Sequence, residues 1–150
     1  MKKRDFIKTS VTLAGSALLP SSIFAIPKGV KRLRTAHIGV GGMGAADLDS
    51  IASHNAVDVV ALCDVDQNNL NAAHKLYPSA KTFIDYRNLL NKMKYEIDAV
   101  IVSTPDHSHA PASLMAMELE KPVYCQKPLT HYVSEACLLY TSPSPRDLRK

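Results

Sequence analysis

The run Thr35-Ala36-His37-Ile38-Gly39-Val40-Gly41-Gly42-Met43-Gly44 decides the fold. Thr35 to Val40 read as a short apolar strand that leads directly into glycines. The glycines follow the spacing G-x-G-x-x-G, with Gly39, Gly41 and Gly44 at its fixed positions. Gly39 permits a tight strand-to-helix turn, Gly41 lets the backbone approach a pyrophosphate, and Gly44 lets helix and strand pack closely. Gly42 and Met43 complete the loop as candidate cofactor contacts. Ala45 to Ser53 follow as a helix with Leu48 and Ile51 on one face. Its unpaired first N–H groups and positive dipole end suit an anion.

A lone glycine motif is weak, and what lies next to it strengthens the reading. Val57 to Cys63 form a β-branched second strand ending at Asp64, which stands twenty residues after Gly44. That is the place for a carboxylate that accepts hydrogen bonds from adenosine ribose hydroxyls. A negative charge there would repel a 2′-phosphate, and Val65 offers no cation, so NAD(H) is favoured over NADP(H). Asp66 reads instead as the cap of the next helix.

Further along, Asn68 to Tyr77 read as a helix closed by Pro78, and Lys81-Thr82-Phe83 as a brief third strand. Asp85 caps a helix through Leu90. Ile97 to Ser103 are a nearly continuous apolar strand of the kind buried on both faces of a parallel sheet. His109 to Leu119 are helical, and Val123-Tyr124-Cys125 make a fifth strand. Strands and helices alternate with short connections, which predicts an α/β fold with a doubly wound parallel sheet of the Rossmann type.

Ligands of such sheets sit beyond the carboxyl ends of strands, near the point where strand order reverses. Ser103, Thr104 and Pro105 fall at such an end. His107 and His109 have the spacing of a metal pair, yet no third ligand stands nearby, so no metal is expected. Capping or packing on one side, and cofactor contact on the other, remain alternatives for these histidines. Gln126-Lys127-Pro128 follow the fifth strand. Pro128 would fix the chain direction after Lys127, and a lysine held at a strand end can approach a reacting hydroxyl; an ordinary surface lysine is the alternative.

Charge is distributed unevenly. The net +4 of the chain comes from its ends: residues 1–34 carry +7 and residues 137–150 carry +2, whereas residues 35–136 carry −5. The globular part is therefore acidic, and no basic stripe with interleaved aromatics points to nucleic acid. Cys63 and Cys125 end apolar runs and read as small buried residues, not as a disulfide framework.

Lys2, Lys3, Arg4 and Lys8 precede an uncharged stretch from Thr9 to Pro27, which describes an export signal too short for a stable membrane span. Lys3-Arg4-Asp5-Phe6-Ile7-Lys8 resembles the twin-arginine motif, with lysine in place of the first arginine. That route carries folded proteins and suits a chain that loads a cofactor before export; an unfolded-export signal or an uncleaved anchor are the alternatives. Residues 1–34 are thus expected to be a leader and linker, and the location the periplasm or cell envelope. At the other end, the eleven residues from Cys137 to Asp147 resemble the translation of a transposase sequencing adapter. A non-native tail is expected over 137–150, with a natural disordered tail as the alternative.

Over residues 35–136 the chain resembles the N-terminal domain of the Gfo/Idh/MocA family, the glucose–fructose oxidoreductase and inositol dehydrogenase group. The resemblance rests on the glycine loop at 39–44, Cys63-Asp64-Val65-Asp66, Asp85-Tyr86-Arg87, Ser103-Thr104-Pro105-Asp106-His107 with His109, and Lys127-Pro128. It implies that Lys127 lies beside nicotinamide and substrate as a catalytic residue, within a motif that is usually Glu-Lys-Pro. Gln126 replaces that glutamate, a departure that bears on the local charge. The resemblance also implies a second, mostly antiparallel α+β domain with a catalytic His or Asp, beyond residue 136, and a homo-oligomer when complete. It implies hydride transfer between nicotinamide and a hydroxyl of a small-molecule sugar or cyclitol. Two other functions stay in view: a glycosidase that keeps its NAD, and a dinucleotide-binding protein without turnover.

Overall fold

The computed structural model describes residues 31–142. The expected leader, up to residue 30, and the last eight residues of the expected tail lie outside the described residues. Five strands form one sheet: β1 (Leu33–Ile38), β2 (Val57–Cys63), β3 (Lys81–Phe83), β4 (Ala99–Val102) and β5 (Val123–Cys125). Among the described residues five α-helices alternate with them: α1 (Met43–Ala52), α2 (Gln67–Leu76), α3 (Tyr86–Met93), α4 (His109–Glu118) and α5 (Val133–Thr141). A 3-10 turn, Asp106–Ser108, precedes α4.

All four strand pairings are parallel, in the order β3-β2-β1-β4-β5. The chain thus winds outward from β1 to β3, then returns to the other side of β1 for β4 and β5. This is the doubly wound Rossmann sheet expected, and its reversal point lies between β1 and β4.

Alternation along β1 divides the core. Ala36 and Ile38 face one layer, packed with Val100 and Val102 of β4, with Leu89, Leu90 and Met93 of α3, and with Ala112 and Ala116 of α4. The alanines of α4 let that helix lie close on the sheet. On the opposite layer Val59 and Leu62 meet Leu48 of α1 and Leu70 and Ala73 of α2. Full burial of a leucine such as Leu90 stabilises by about 2 kcal/mol relative to its exposure.

Local signals account for the element ends. Asp66 accepts the Asn68 N–H at 2.8 Å, and Asp85 accepts the Arg87 N–H at 2.9 Å, so both act as the expected caps. Strand β1 starts two residues before the expected Thr35, because Leu33 pairs with Val57, and it stops at Ile38, because Gly39 takes φ +83°. Strand β4 is shorter than the expected 97–103. Asp98 leaves the strand path to accept the Arg34 guanidinium through both oxygens, at 2.9 and 2.7 Å, and the Arg34 backbone N–H at 3.0 Å. Helix α5 runs past Ala136 to Thr141. Cys63 is buried, Cys125 half-buried and Cys137 exposed, all as free thiols. Among the described residues no helix is long and apolar enough to cross a membrane.

Candidate dinucleotide site

The site begins with the glycine loop. At Gly39 a side chain would need the left-handed backbone and would also strike the Ser103 carbonyl 2.6 Å away. At Gly44 a Cβ would collide with the Gly39 carbonyl oxygen, so the first turn of α1 can lie against the end of β1 only without a side chain. Gly41 and Gly42 differ from these two. A Cβ on Gly41 would meet only the Asn69 side-chain amide, and one on Gly42 would meet nothing within 4 Å. Open space therefore lies at Gly42, and over Gly41 once the movable Asn69 amide gives way, beside the start of α1, whose first N–H groups a helix cannot satisfy itself.

Asp64 closes the other side. Its Oδ2 accepts the Val40 N–H at 2.9 Å and its Oδ1 accepts the Asp66 N–H at 2.9 Å. The carboxylate thus ties the glycine loop to the turn after β2, and the Gly39 N–H donates to the Cys63 carbonyl at 2.8 Å beside it. Each carboxylate oxygen keeps a further lone pair for a ligand hydroxyl. Burial, with Asp64 and Asp85 adding to it, pushes the Cys63 thiol up to about 12, so this cysteine is a packing residue and no nucleophile.

Between these groups opens a cavity of about 460 Å³. Of the residues expected from sequence, it brings together Gly39, Gly41, Asp64, Ser103, Thr104 and Pro105. Met43 is exposed at the start of α1, and Gly44 is buried behind the loop. His107 lines the cavity, whereas His109 does not. The His109 ring is buried between two carbonyl oxygens, with Nε2 2.6 Å from that of Thr104 and Nδ1 2.5 Å from that of Pro128. It braces the end of β4 against the turn that carries Lys127, which is the packing alternative of the sequence reading. Among the described residues no three His, Cys, Asp or Glu side chains gather as a metal set.

Gln126 and Lys127 stand at the end of β5, outside the cavity lining. Lys127 is exposed, its N–H donates to Gln126 Oε1 at 2.9 Å, and the Lys127–Pro128 peptide is cis. Sequence reasoning missed Asn69, Ile84 and Ser108 as cavity residues; Tyr86 was legible only as part of the Asp85-Tyr86-Arg87 run. It also missed Asp47, which accepts the Ser103 hydroxyl at 2.6 Å. Periodicity on α1 marks Asp47 only as a polar position.

A dinucleotide fits this donor set. The open loop can take a pyrophosphate against backbone N–H groups, Asp64 can hold ribose hydroxyls, and Ile84, Tyr86 and Val65 offer an apolar wall.

Comparison with known proteins agrees. The model of the Gfo/Idh/MocA oxidoreductase family, NAD-binding Rossmann fold, matches residues 33–142. A glycosyl hydrolase family 109 protein of Stenotrophomonas maltophilia is 34% identical over 137 residues, covering 84% of this chain and 29% of that protein. Inositol 2-dehydrogenase of Salmonella typhimurium is 32% identical over 99 residues, covering 65% of this chain and 29% of the relative. This chain thus spans less than a third of the length of these curated relatives. Among solved structures, myo-inositol dehydrogenase from Lactobacillus casei, in complex with NAD(H) and myo-inositol, superposes with a TM-score of 0.67 at 29% identity, covering 73% of this chain and 32% of that one. The myo-inositol 2-dehydrogenase from Lactobacillus plantarum superposes with a TM-score of 0.68 at 28% identity, covering 75% and 34%. With its glycine loop, second-strand carboxylate and strand order, the chain belongs to the Gfo/Idh/MocA oxidoreductase family and forms its NAD-binding Rossmann domain.

Proposed function

We propose that this domain binds NAD(H) in preference to NADP(H), and that it serves an exported enzyme moving hydride between nicotinamide and a hydroxyl of a sugar or cyclitol. The observation that carries the reading is the Asp64 carboxylate, fastened to the glycine loop through Val40 and standing beside the open cavity. A negative charge fixed there by two backbone donors repels a 2′-phosphate and accepts ribose hydroxyls. The L. casei relative supports the substrate class, since its crystals hold both NAD(H) and myo-inositol.

When bound, NAD supplies the hydride acceptor or donor. The protein's own groups do the rest. Gly39 to Gly44 and the start of α1 hold the phosphates. Ser103, Thr104 and Pro105 form the floor at the reversal point, and Lys127 stands at the neighbouring strand end to orient or polarise the reacting oxygen. The complete enzyme supplies the principal acid or base from outside these residues, and a homo-oligomer is part of the proposal. The basic and apolar leader at residues 1–34 supports export to the periplasm or cell envelope.

A second reading has a specific observation behind it: the family 109 glycosyl hydrolase covers more of this chain, at equal or higher identity, than the inositol 2-dehydrogenase quoted above. Titration calorimetry of the domain with NAD and NADP tests the cofactor; equal affinities for the two would overturn the assigned role of Asp64. In the complete enzyme, a change in absorbance at 340 nm with free inositol or sugar marks a dehydrogenase. Release of an aryl leaving group without net NADH marks the glycosidase.

A further inference from the structure

Among the described residues the Asp47 carboxylate joins the ends of β4 and β5 to helix α1. Besides the Ser103 hydroxyl, it accepts the Gln126 side-chain amide, whose Nε2 lies 3.2 Å from Oδ1 and 3.1 Å from Oδ2. The other end of that amide is also engaged, because Gln126 Oε1 accepts the Lys127 N–H at 2.9 Å. Asp47, Ser103 and Gln126 are all half-buried, so these bonds are not freely exchanged for water.

The chemistry of this chain of bonds is directional. An ionised carboxylate only accepts, so its partner at 126 must donate; the Lys127 backbone N–H only donates, so the same partner must also accept. A primary amide does both at once. A carboxylate at 126 would accept from Lys127 but would set a second negative charge about 3 Å from Asp47, where two carboxylates cannot both stay ionised without large cost.

We propose that Asp47 and Gln126 are matched positioning residues: the α1 carboxylate orients the Gln126 amide, and the amide holds the Lys127 backbone in place at the end of β5. Neither residue touches the reacting atoms; they act through Lys127, and the inference rests on the reading of Lys127 given above. The side chain acceptable before Lys127 is thereby set by a residue 79 positions earlier in the chain.

The test is a charge-reversal cycle in this chain with Gln126→Glu, Asp47→Asn and the double variant. The double variant restores one donor and one acceptor, now in reversed order. Amide hydrogen exchange at Lys127 is followed by NMR, with the Val100 N–H, donated to the Pro122 carbonyl, as a core control. Gln126→Glu is expected to speed exchange at Lys127 about tenfold, because repulsion from Asp47 swings the new carboxylate off the Lys127 N–H and that modest hydrogen bond is lost, with Val100 unchanged. The double variant is expected to recover wild-type protection. Exchange in the double variant at or above that of the worse single variant would overturn the pairing, as would an unaffected Lys127 amide in Gln126→Glu. Calorimetry with NAD on the same samples separates the two ideas: an unbound wild type defeats the cofactor reading while the exchange cycle still judges the pair.

Discussion

Asp64 meets two kinds of donor, and substitutions can separate them. Its oxygens accept Val40 and Asp66 N–H groups within the protein, and their remaining lone pairs are available to a ribose. Asp64→Ala strips both backbone donors of their acceptor, so it should lower stability as well as affinity. Asp64→Asn retains an acceptor and should fold, yet lose ~1–3 kcal/mol of NAD binding as the charge-assisted bonds go. Asparagine has one acceptor oxygen for two N–H donors, so some stability is lost too, and calorimetry is done well below the variant's melting temperature; undiminished affinity would remove Asp64 from ribose recognition. Lys127 is a different case, because it is exposed and lies off the cavity lining. In the complete enzyme Lys127→Ala should lower turnover far more than NAD affinity, and steady-state kinetics beside calorimetry show the split. Equal losses in both would count against its role at the reacting oxygen.

Among the elements, those whose signal is local were legible in the sequence. Asp66 and Asp85 act as caps because a short carboxylate reaches an N–H two residues on wherever it stands. The β2 and β3 bounds follow from β-branched runs and turn residues. Strand β4 was read too long because nothing near Asp98 in sequence shows that Arg34, 64 residues away, will draw it aside. Asp47 was illegible for the same reason, since its partners lie 56 and 79 residues off. The glycine roles were legible but not equivalent. Gly44→Ala drives a Cβ into the Gly39 carbonyl oxygen, a backbone atom with nowhere to go, and should cost ~1–3 kcal/mol in urea denaturation. Gly41→Ala meets only the movable Asn69 amide, so it should spare stability and weaken NAD binding. Equal stability losses in the two variants would contradict this division of labour.

For the whole molecule, the sharpest consequence concerns acid. His37 is buried on β1, with Nε2 3.1 Å from the Thr35 hydroxyl and Nδ1 without a partner among the described residues. Burial lowers its pKa from 6.5 to about 4, and the Asp47 carboxylate opposes that shift only in part. An unfolded chain therefore takes up this proton at higher pH than the folded one does. Stability should fall as pH drops from about 6.5 to about 4, by ~3 kcal/mol in all, and should level off below for this group. Asp98 works in a lower window. The Arg34 guanidinium holds its carboxyl well below the usual carboxylate range, so its contribution is complete above about 3.8 and disappears only as pH falls further. Acid should thus weaken the domain in two stages with separate causes. Melting temperatures from pH 7.5 down to about 1.5 should show His37→Gln flattening the upper stage and leaving the lower one, while Asp98→Asn should do the reverse. A loss of ~3 kcal/mol is a large part of the ~5–15 kcal/mol that holds a domain of this size folded, so the upper stage should be visible while Asp98 is still ionised. If His37→Gln retained the full slope between pH 6.5 and 4, the proton would have to enter elsewhere, and the buried neutral imidazole beneath α1 would not be its entry point.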